Sequence, residues 1–141
     1  MKNLFTALLF MAIVIGYMPV GFTANAYNSI DEINLDGEEA IGKTATLKLK
    51  FFQVNSDWYI FIDENNFKFV YLYKDAKFKN IIRSIIKSTA ESKANAEAQG
   101  DHSLFGTFSY FITFKIIGFT RIGGVFGEII KINDSENKPM E

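Results

Sequence analysis

The only histidine of the chain, His102, lies between Asp101 and Ser103, and these are the three residue types of a hydrolase triad. A triad needs side chains that converge from separated segments, which three neighbours in one loop cannot do. We therefore interpret His102 as a solvated loop residue. With one histidine and no cysteine, a zinc site would lack its usual nitrogen and sulfur ligands. The sequence predicts no catalytic set, no metal site and no cofactor.

Two pairs of adjacent carboxylates, Asp63 with Glu64 and Glu38 with Glu39, have the residue types that glycoside hydrolysis uses. That reaction places two carboxylates opposite each other across a cleft, and neighbours in sequence do not supply this geometry. Asp63 and Glu64 are typical of a hairpin turn instead. We predict that the protein is not an enzyme, and a hydrolase is the residual alternative.

Three basic residues, Lys79, Arg83 and Lys87, recur at a four-residue spacing on a predicted helix. Like charges one turn apart destabilise a helix by about 0.2–0.5 kcal/mol per pair unless they are compensated. This basic stripe is therefore a candidate binding site for an anionic ligand. The alternative is a solvated helix face.

Three aromatic residues, Tyr59, Phe61 and Phe111, are predicted on strand faces opposite the core, near Lys48 and Lys50. Aromatic rings among lysines are suited to stacking on bases or sugars. We expect these five residues to form a ligand-binding face. The alternative is a second apolar layer, covered by the N-terminal segment or by a dimer partner.

Apolar and polar residues alternate in five segments, which predicts five strands. These segments cover residues 44–54, 58–63, 67–73, 107–122 and 125–132. In the second strand, Trp58, Ile60 and Ile62 are predicted to face the core.

The period changes at Asp75, which is placed to cap a helix. Apolar residues that include Phe78 and Ile82 then follow helical spacing, so residues 76–90 are predicted to form an amphipathic helix. An alanine-rich continuation carries the helix on until Gly100 ends it.

The predicted order is β-β-β-α-β-β, so the fold class is mainly β with one helix. This is the order of the OB-fold, a five-stranded Greek-key barrel with its helix between strands three and four. Residues 42–44, 69–73 and 127–132 resemble segments of small exported bacterial OB-fold proteins of the tRNA-anticodon-like group. The resemblance implies a binding barrel rather than an enzyme, and it transfers no catalytic residue.

The first 26 residues have the pattern of a signal peptide. No charged residue occurs between Lys2 and Asp31, and residues 4–15 are almost continuously apolar. Small residues stand at the two positions that a signal peptidase reads in residues 24–26. We predict cleavage before Tyr27, which leaves no membrane span; an uncleaved anchor is the alternative.

Removal of residues 1–26 takes away one basic residue and leaves 14 basic against 16 acidic side chains. This balance argues against a basic nucleic-acid-binding protein. The remaining 115 residues suffice for one domain. We predict an acidic lead-in on the surface (27–43), either weakly structured or with a short helix, followed by an OB-like barrel domain (44–132) and a polar tail (133–141).

Together these features predict an exported, periplasmic or secreted, non-enzymatic binding module. Its expected partner is a protein or an anionic envelope polymer. The alternative is an extracytoplasmic protein that binds single-stranded nucleic acid through the aromatic and lysine face.

Overall fold

The computed structural model describes residues 26–63, 65, 67–102 and 104–141. The predicted signal peptide lies outside the described residues, apart from Ala26. The helices and strands, in chain order, are α1 (Ile30–Asp36), β1 (Thr44–Val54), β2 (Trp58–Asp63), β3 (Lys68–Tyr73), α2 (Lys79–Ala98), β4 (Tyr110–Phe119) and β5 (Val125–Asn133). Short 3-10 helices, Gly37–Ala40 and Ala76–Phe78, follow α1 and precede α2.

The strands close into a barrel in the order β1-β2-β3-β5-β4, and β4 returns to β1. Neighbouring strands are antiparallel except β3 and β5, which are parallel. The long helix α2 lies between β3 and β4 in the chain. The predicted fold class is therefore confirmed: the protein is mainly β, with a closed five-stranded barrel and the element order of an OB-fold.

Strand β1 is long because different parts of it pair with two different strands. Residues 44–49 pair with β4, and residues 50–54 pair with β2. Phe52 has no partner in the register between Phe51 and Gln53, so the strand bulges there. A bulge bends a strand and increases its twist, which lets β1 turn the corner of a small barrel although it contains no glycine.

Alternate residues of each strand fill the barrel interior, as the two-residue period of a strand requires. The inward face predicted for β4 is confirmed, and burial raises the pKa of Tyr110, which lies on that face. The buried strand residues that form the core are Ala45, Leu47, Leu49, Phe51, Tyr59, Phe61, Val70, Leu72, Tyr110, Ile112, Phe114, Ile116, Val125, Ile129 and Ile132.

Helix α2 packs one face onto this core. Phe78, Ile82 and Ile85 are buried in the same cluster, as the predicted apolar stripe requires. Asp75 caps the turn before the helix, because its carboxylate accepts a hydrogen bond from the backbone N–H of Lys77 at 2.9 Å. No helix within the described residues is long and apolar enough to cross a membrane.

The N-terminal segment contains the short helix α1, which packs one face onto the barrel while the acidic side chains of the segment stay exposed on the surface. Ile30 and Ile33 lie one turn apart on α1 and are fully buried. The side-chain amide of Asn34 donates to the carbonyl of Gly123 at 3.1 Å, which ties α1 to the loop between β4 and β5. Two isoleucines on one helical face anchor this short helix to the barrel, and its acidic outer side remains exposed.

Tyr27 fixes the start of this segment to β1. Its backbone N–H donates to the carbonyl of Thr44 at 3.2 Å, and its carbonyl accepts from the N–H of Thr46 at 2.9 Å. The Tyr27 phenol donates to a carboxylate oxygen of Asp36 at 2.5 Å, and this hydrogen bond raises the pKa of Tyr27. Lys43 donates to the phenol oxygen at 3.3 Å, and this contact raises the pKa of Lys43.

Candidate functional site

The two faces of β2 are reversed relative to the prediction. Tyr59 and Phe61 point into the barrel and belong to its core, with 8% and 0% of their surfaces exposed. Neither ring is therefore available for the predicted stacking face on the outside. Trp58, Ile60 and Ile62 occupy the alternate, outward positions. The prediction failed here because both faces of β2 are apolar, and periodicity alone cannot choose between them.

The outward positions form a continuous row of aromatic side chains that the sequence analysis missed. We call this row the aromatic ridge; it consists of Phe52, Trp58, Phe69, Tyr71, Tyr73 and Phe126. The contacts in order, as centroid separations, are Tyr73 to Trp58 at 5.6 Å, Trp58 to Phe126 at 4.9 Å, Phe126 to Tyr71 at 5.2 Å, Tyr71 to Phe69 at 6.3 Å and Phe69 to Phe52 at 5.1 Å. The rings are tilted or edge-on to one another, which are the favourable arrangements of aromatic pairs.

Two further apolar residues share the outer face with the ridge and are buried. Ile60 and Ile62 face outward, yet only 5% and 3% of their surfaces are exposed. The ridge rings themselves are only partly buried, and Tyr73 is 52% exposed. The outer face of β2 and β3 therefore combines two buried isoleucines with partly exposed aromatic rings. It is not the apolar layer considered as an alternative above, which concerned Tyr59, Phe61 and Phe111.

The other three residues of the predicted face lie on a different side of the barrel wall from Tyr59 and Phe61; they are Phe111, Lys48 and Lys50. Phe111 is half-buried on β4, and the Nζ of Lys48 lies 5.8 Å from the centre of its ring. Lys50 is half-buried on β1, where it pairs in register with Ile62 of β2. The structure therefore divides the five residues of the predicted face between the barrel interior and the outer side of β1 and β4.

The predicted basic stripe is also divided. Lys79 and Arg83 are exposed and line a cleft of about 350 Å³ together with Tyr59 and Lys74. Lys87 lies farther along α2 and forms an exposed ion pair with Glu91 at 3.9 Å. We call the first site the basic cleft and define it by Tyr59, Lys74, Asp75, Lys79 and Arg83.

The basic cleft and the aromatic ridge are neighbours. A second cleft, of about 420 Å³, shares Lys74 and Asp75 with the basic cleft and is also lined by Tyr73, the exposed end of the ridge. In β3, Tyr73 points outward while Leu72 points into the core. The last residue of the ridge, Tyr73, is therefore followed directly in the chain by Lys74 of the basic cleft.

The residues with acid, base or nucleophile chemistry remain scattered. His102 and Asp101 are exposed in the loop after α2, and Ser103 lies outside the described residues. Asp63 is buried and accepts a hydrogen bond from the backbone N–H of Asn65 at 3.0 Å, as a turn residue does; Glu64 is outside the described residues. Within the described ranges no three His, Asp or Glu side chains come together in a group that could hold a metal ion.

Comparisons of the chain with protein-family models, with curated proteins and with solved structures find no match. The aromatic ridge and the basic cleft are the two surfaces whose chemistry supports a functional proposal.

Proposed function

We propose that the protein is an exported, non-enzymatic binding module that holds a polymer of the cell envelope on its aromatic ridge. The observation that carries this proposal is the unbroken row of ring contacts on the outer faces of β2, β3 and β5. In OB-fold barrels, the face formed by strands two and three binds oligosaccharides and oligonucleotides.

The ridge has the chemistry and the extent that a chain of sugar rings needs. Aromatic faces carry partial negative charge and attract the polarised C–H groups on the face of a pyranose ring. The row includes residues of four adjacent strands, β1, β2, β3 and β5, and its two ends are Phe52 and Tyr73. Its six rings, each 4.9 to 6.3 Å from the next, offer stacking positions for more than one ring-sized unit.

The residues of the ridge strands themselves favour a sugar polymer over a nucleic acid. The outward positions of β2 and β3, which are all described, carry no lysine or arginine. Lys68 points the other way at the start of β3 and donates to Asp31 at 2.9 Å. Phosphate contacts supply much of the affinity for nucleic acid, and on β2 and β3 a single strand would gain stacking alone. The cations that adjoin the ridge are those of the basic cleft, beginning at Lys74 beside Tyr73, and they keep nucleic acid as the alternative ligand.

The export part of the proposal rests on the uncharged N-terminal residues, and it predicts a mature chain that begins at Tyr27. Cleavage at this point retains the backbone contacts of Tyr27 with β1. N-terminal sequencing of the protein from a periplasmic or culture fraction is the measurement. An intact N-terminus in the membrane fraction would contradict cleavage and support the anchor.

Tyr73→Ala and Trp58→Ala are each expected to weaken binding of an envelope polymer by about ten-fold or more. The reason is that a stacked ring contributes about 1–3 kcal/mol when it is removed by alanine substitution. Co-sedimentation with purified peptidoglycan and with teichoic acid measures the loss. Trp58 is the only tryptophan, so its emission also reports soluble fragments binding to the wild type and to Tyr73→Ala.

The matched control is Phe108→Ala, because Phe108 is 48% exposed and forms none of the ridge contacts. Its binding should equal that of the wild type. Equal losses for Phe108→Ala and Tyr73→Ala would contradict a specific role for the ridge. Binding of a labelled oligonucleotide at low salt, with no binding of envelope polymers, would replace the proposal with a single-stranded nucleic-acid binder.

A further inference from the structure

The basic cleft lies between the start of α2 and the end of β3, over the inward-facing ring of Tyr59. Its cationic side chains come from two elements: Lys74 follows β3, and Lys79 and Arg83 lie one turn apart on α2. Its volume of about 350 Å³ can accept a small anionic group together with part of the molecule that carries it.

The three cations of the cleft carry no ion pair within the part of the chain that the structure describes. None of Lys74, Lys79 and Arg83 forms an ion pair with another residue in the described part of the chain. Lys87 has the same spacing on the same helix, but it pairs with Glu91. The helix therefore compensates the third charge of the stripe and leaves the two at the cleft uncompensated.

Asp75 is the one acidic residue in the lining of this cleft, and its carboxylate already has a structural role. The Oδ1 atom accepts the N–H of Lys77 and caps the turn that leads into α2. The carboxylate is thus held at the helix start, and the lining retains a net charge of +2 from three cations and one anion. Such a local excess of charge attracts anions.

The lining also has the hydrogen-bond donors that a tetrahedral oxyanion uses. Arg83 offers a planar set of N–H donors that matches two oxygens of a phosphate, and Lys79 adds a mobile ammonium group. The Nζ of Lys74 lies 5.8 Å from the centre of the Tyr59 ring, a cation–π contact that places it over the floor of the cleft.

We propose that the basic cleft is a phosphate-binding site in which Lys74, Lys79 and Arg83 hold the phosphate oxygens. The phosphate belongs either to a free small molecule or to a larger ligand such as a phosphodiester polymer. The site uses none of the ridge residues, so it is tested separately from the proposed binding of sugar rings.

The test compares a double variant, which carries both Lys79→Gln and Arg83→Gln, with the single control variant Lys87→Gln. Both keep the side chains polar, but only the double variant removes charge from the cleft. The probes are inorganic phosphate, a poly(glycerol phosphate) chain and vesicles that contain phosphatidylglycerol, each compared with chloride at equal ionic strength. Calorimetric titration, or vesicle co-sedimentation, measures the affinity.

We expect the wild type and Lys87→Gln to bind phosphate equally, and the double variant to bind at least about ten-fold more weakly, because it loses charge-assisted hydrogen bonds. Binding of inorganic phosphate alone would identify a free small molecule, and stronger binding of the polymer or of vesicles would identify the larger carrier. Absence of binding by the wild type to all three probes would overturn the proposal. An equal loss of phosphate affinity in Lys87→Gln and in the double variant would also overturn the proposal, because a diffuse effect of net charge gives that result. Circular dichroism of each variant checks that α2 is intact.

Discussion

Replacement of Ile82 by aspartate is expected to unfold or severely destabilise the domain, whereas Arg83→Asp should change its melting temperature little. Ile82 is 1% exposed and lies in the face of α2 that packs onto the barrel core. An unpaired carboxylate at such a site costs several kcal/mol, or forces the group to take up a proton. Because the total stability of a domain is about 5–15 kcal/mol, this cost is a large part of it.

Arg83 is the matched control because it is the next residue on the same helix. A rotation of about 100° per residue turns its side chain away from the core, and the structure shows it exposed. Thermal melts followed by circular dichroism compare the two variants with the wild type. Equal melting temperatures would show that the buried face of α2 is assigned incorrectly. Arg83→Asp should also lose phosphate binding while it stays folded, which separates the cleft from the core.

The order of elements could be predicted because the period of the apolar residues changes at identifiable places. Alternation in β1 and β4 puts polar residues such as Lys48 and Thr113 on one face, so the inward face follows directly. Helical spacing after Asp75 identifies α2 and its buried residues in the same way. Where only one face of a helix or strand is apolar, only one orientation of that element buries its apolar side chains.

The aromatic ridge could not be predicted by the same rule because β2 is apolar on both faces. Its orientation is decided by closure of the barrel, where Phe61 pairs with Phe51 on one side and Val70 on the other. Polar ring atoms do not decide the orientation of β2 either, because Trp58 on the outer face and Tyr59 on the inner face each carry one.

The buried contacts of the N-terminal segment could not be predicted, because its composition is dominated by acidic residues. Only Ile30 and Ile33 reveal the buried face of α1, and a helix of seven residues is too short for a clear period. Its burial depends on contacts with distant parts of the chain, such as the bond from Asn34 to Gly123. Such contacts have no local signal in the sequence.

Gly127 in β5 shows a second constraint that is set by closure of the barrel. A Cβ atom added at this residue would lie 2.3 Å from Cδ2 of Phe114 and 3.1 Å from two further ring atoms. Phe114 is fully buried on β4, so its ring already occupies the space that a side chain at Gly127 would need. The glycine is required by this close approach rather than by an unusual backbone angle.

Gly127→Ala is therefore expected to destabilise the domain by about 2–3 kcal/mol, since overpacking of a filled core typically costs this much. Urea denaturation of the folded mature chain measures the loss. Gly118→Ala is the matched control: it also lies in a strand, but its added Cβ would meet only one ring atom of Phe126, at 3.8 Å. The control should be neutral or slightly stabilising, because alanine reduces the entropy of the unfolded chain.

A second substitution distinguishes steric overlap from a general effect of removing glycine. Phe114→Leu alone should destabilise the barrel, because it leaves a cavity in the core. If the ring and the added methyl group compete for the same space, Gly127→Ala with Phe114→Leu should be more stable than the sum of the single losses predicts. The double-mutant cycle then gives a favourable coupling of at least about 0.5 kcal/mol. Strict additivity, or equal losses for Gly127→Ala and Gly118→Ala, would contradict the assigned contact between β5 and β4.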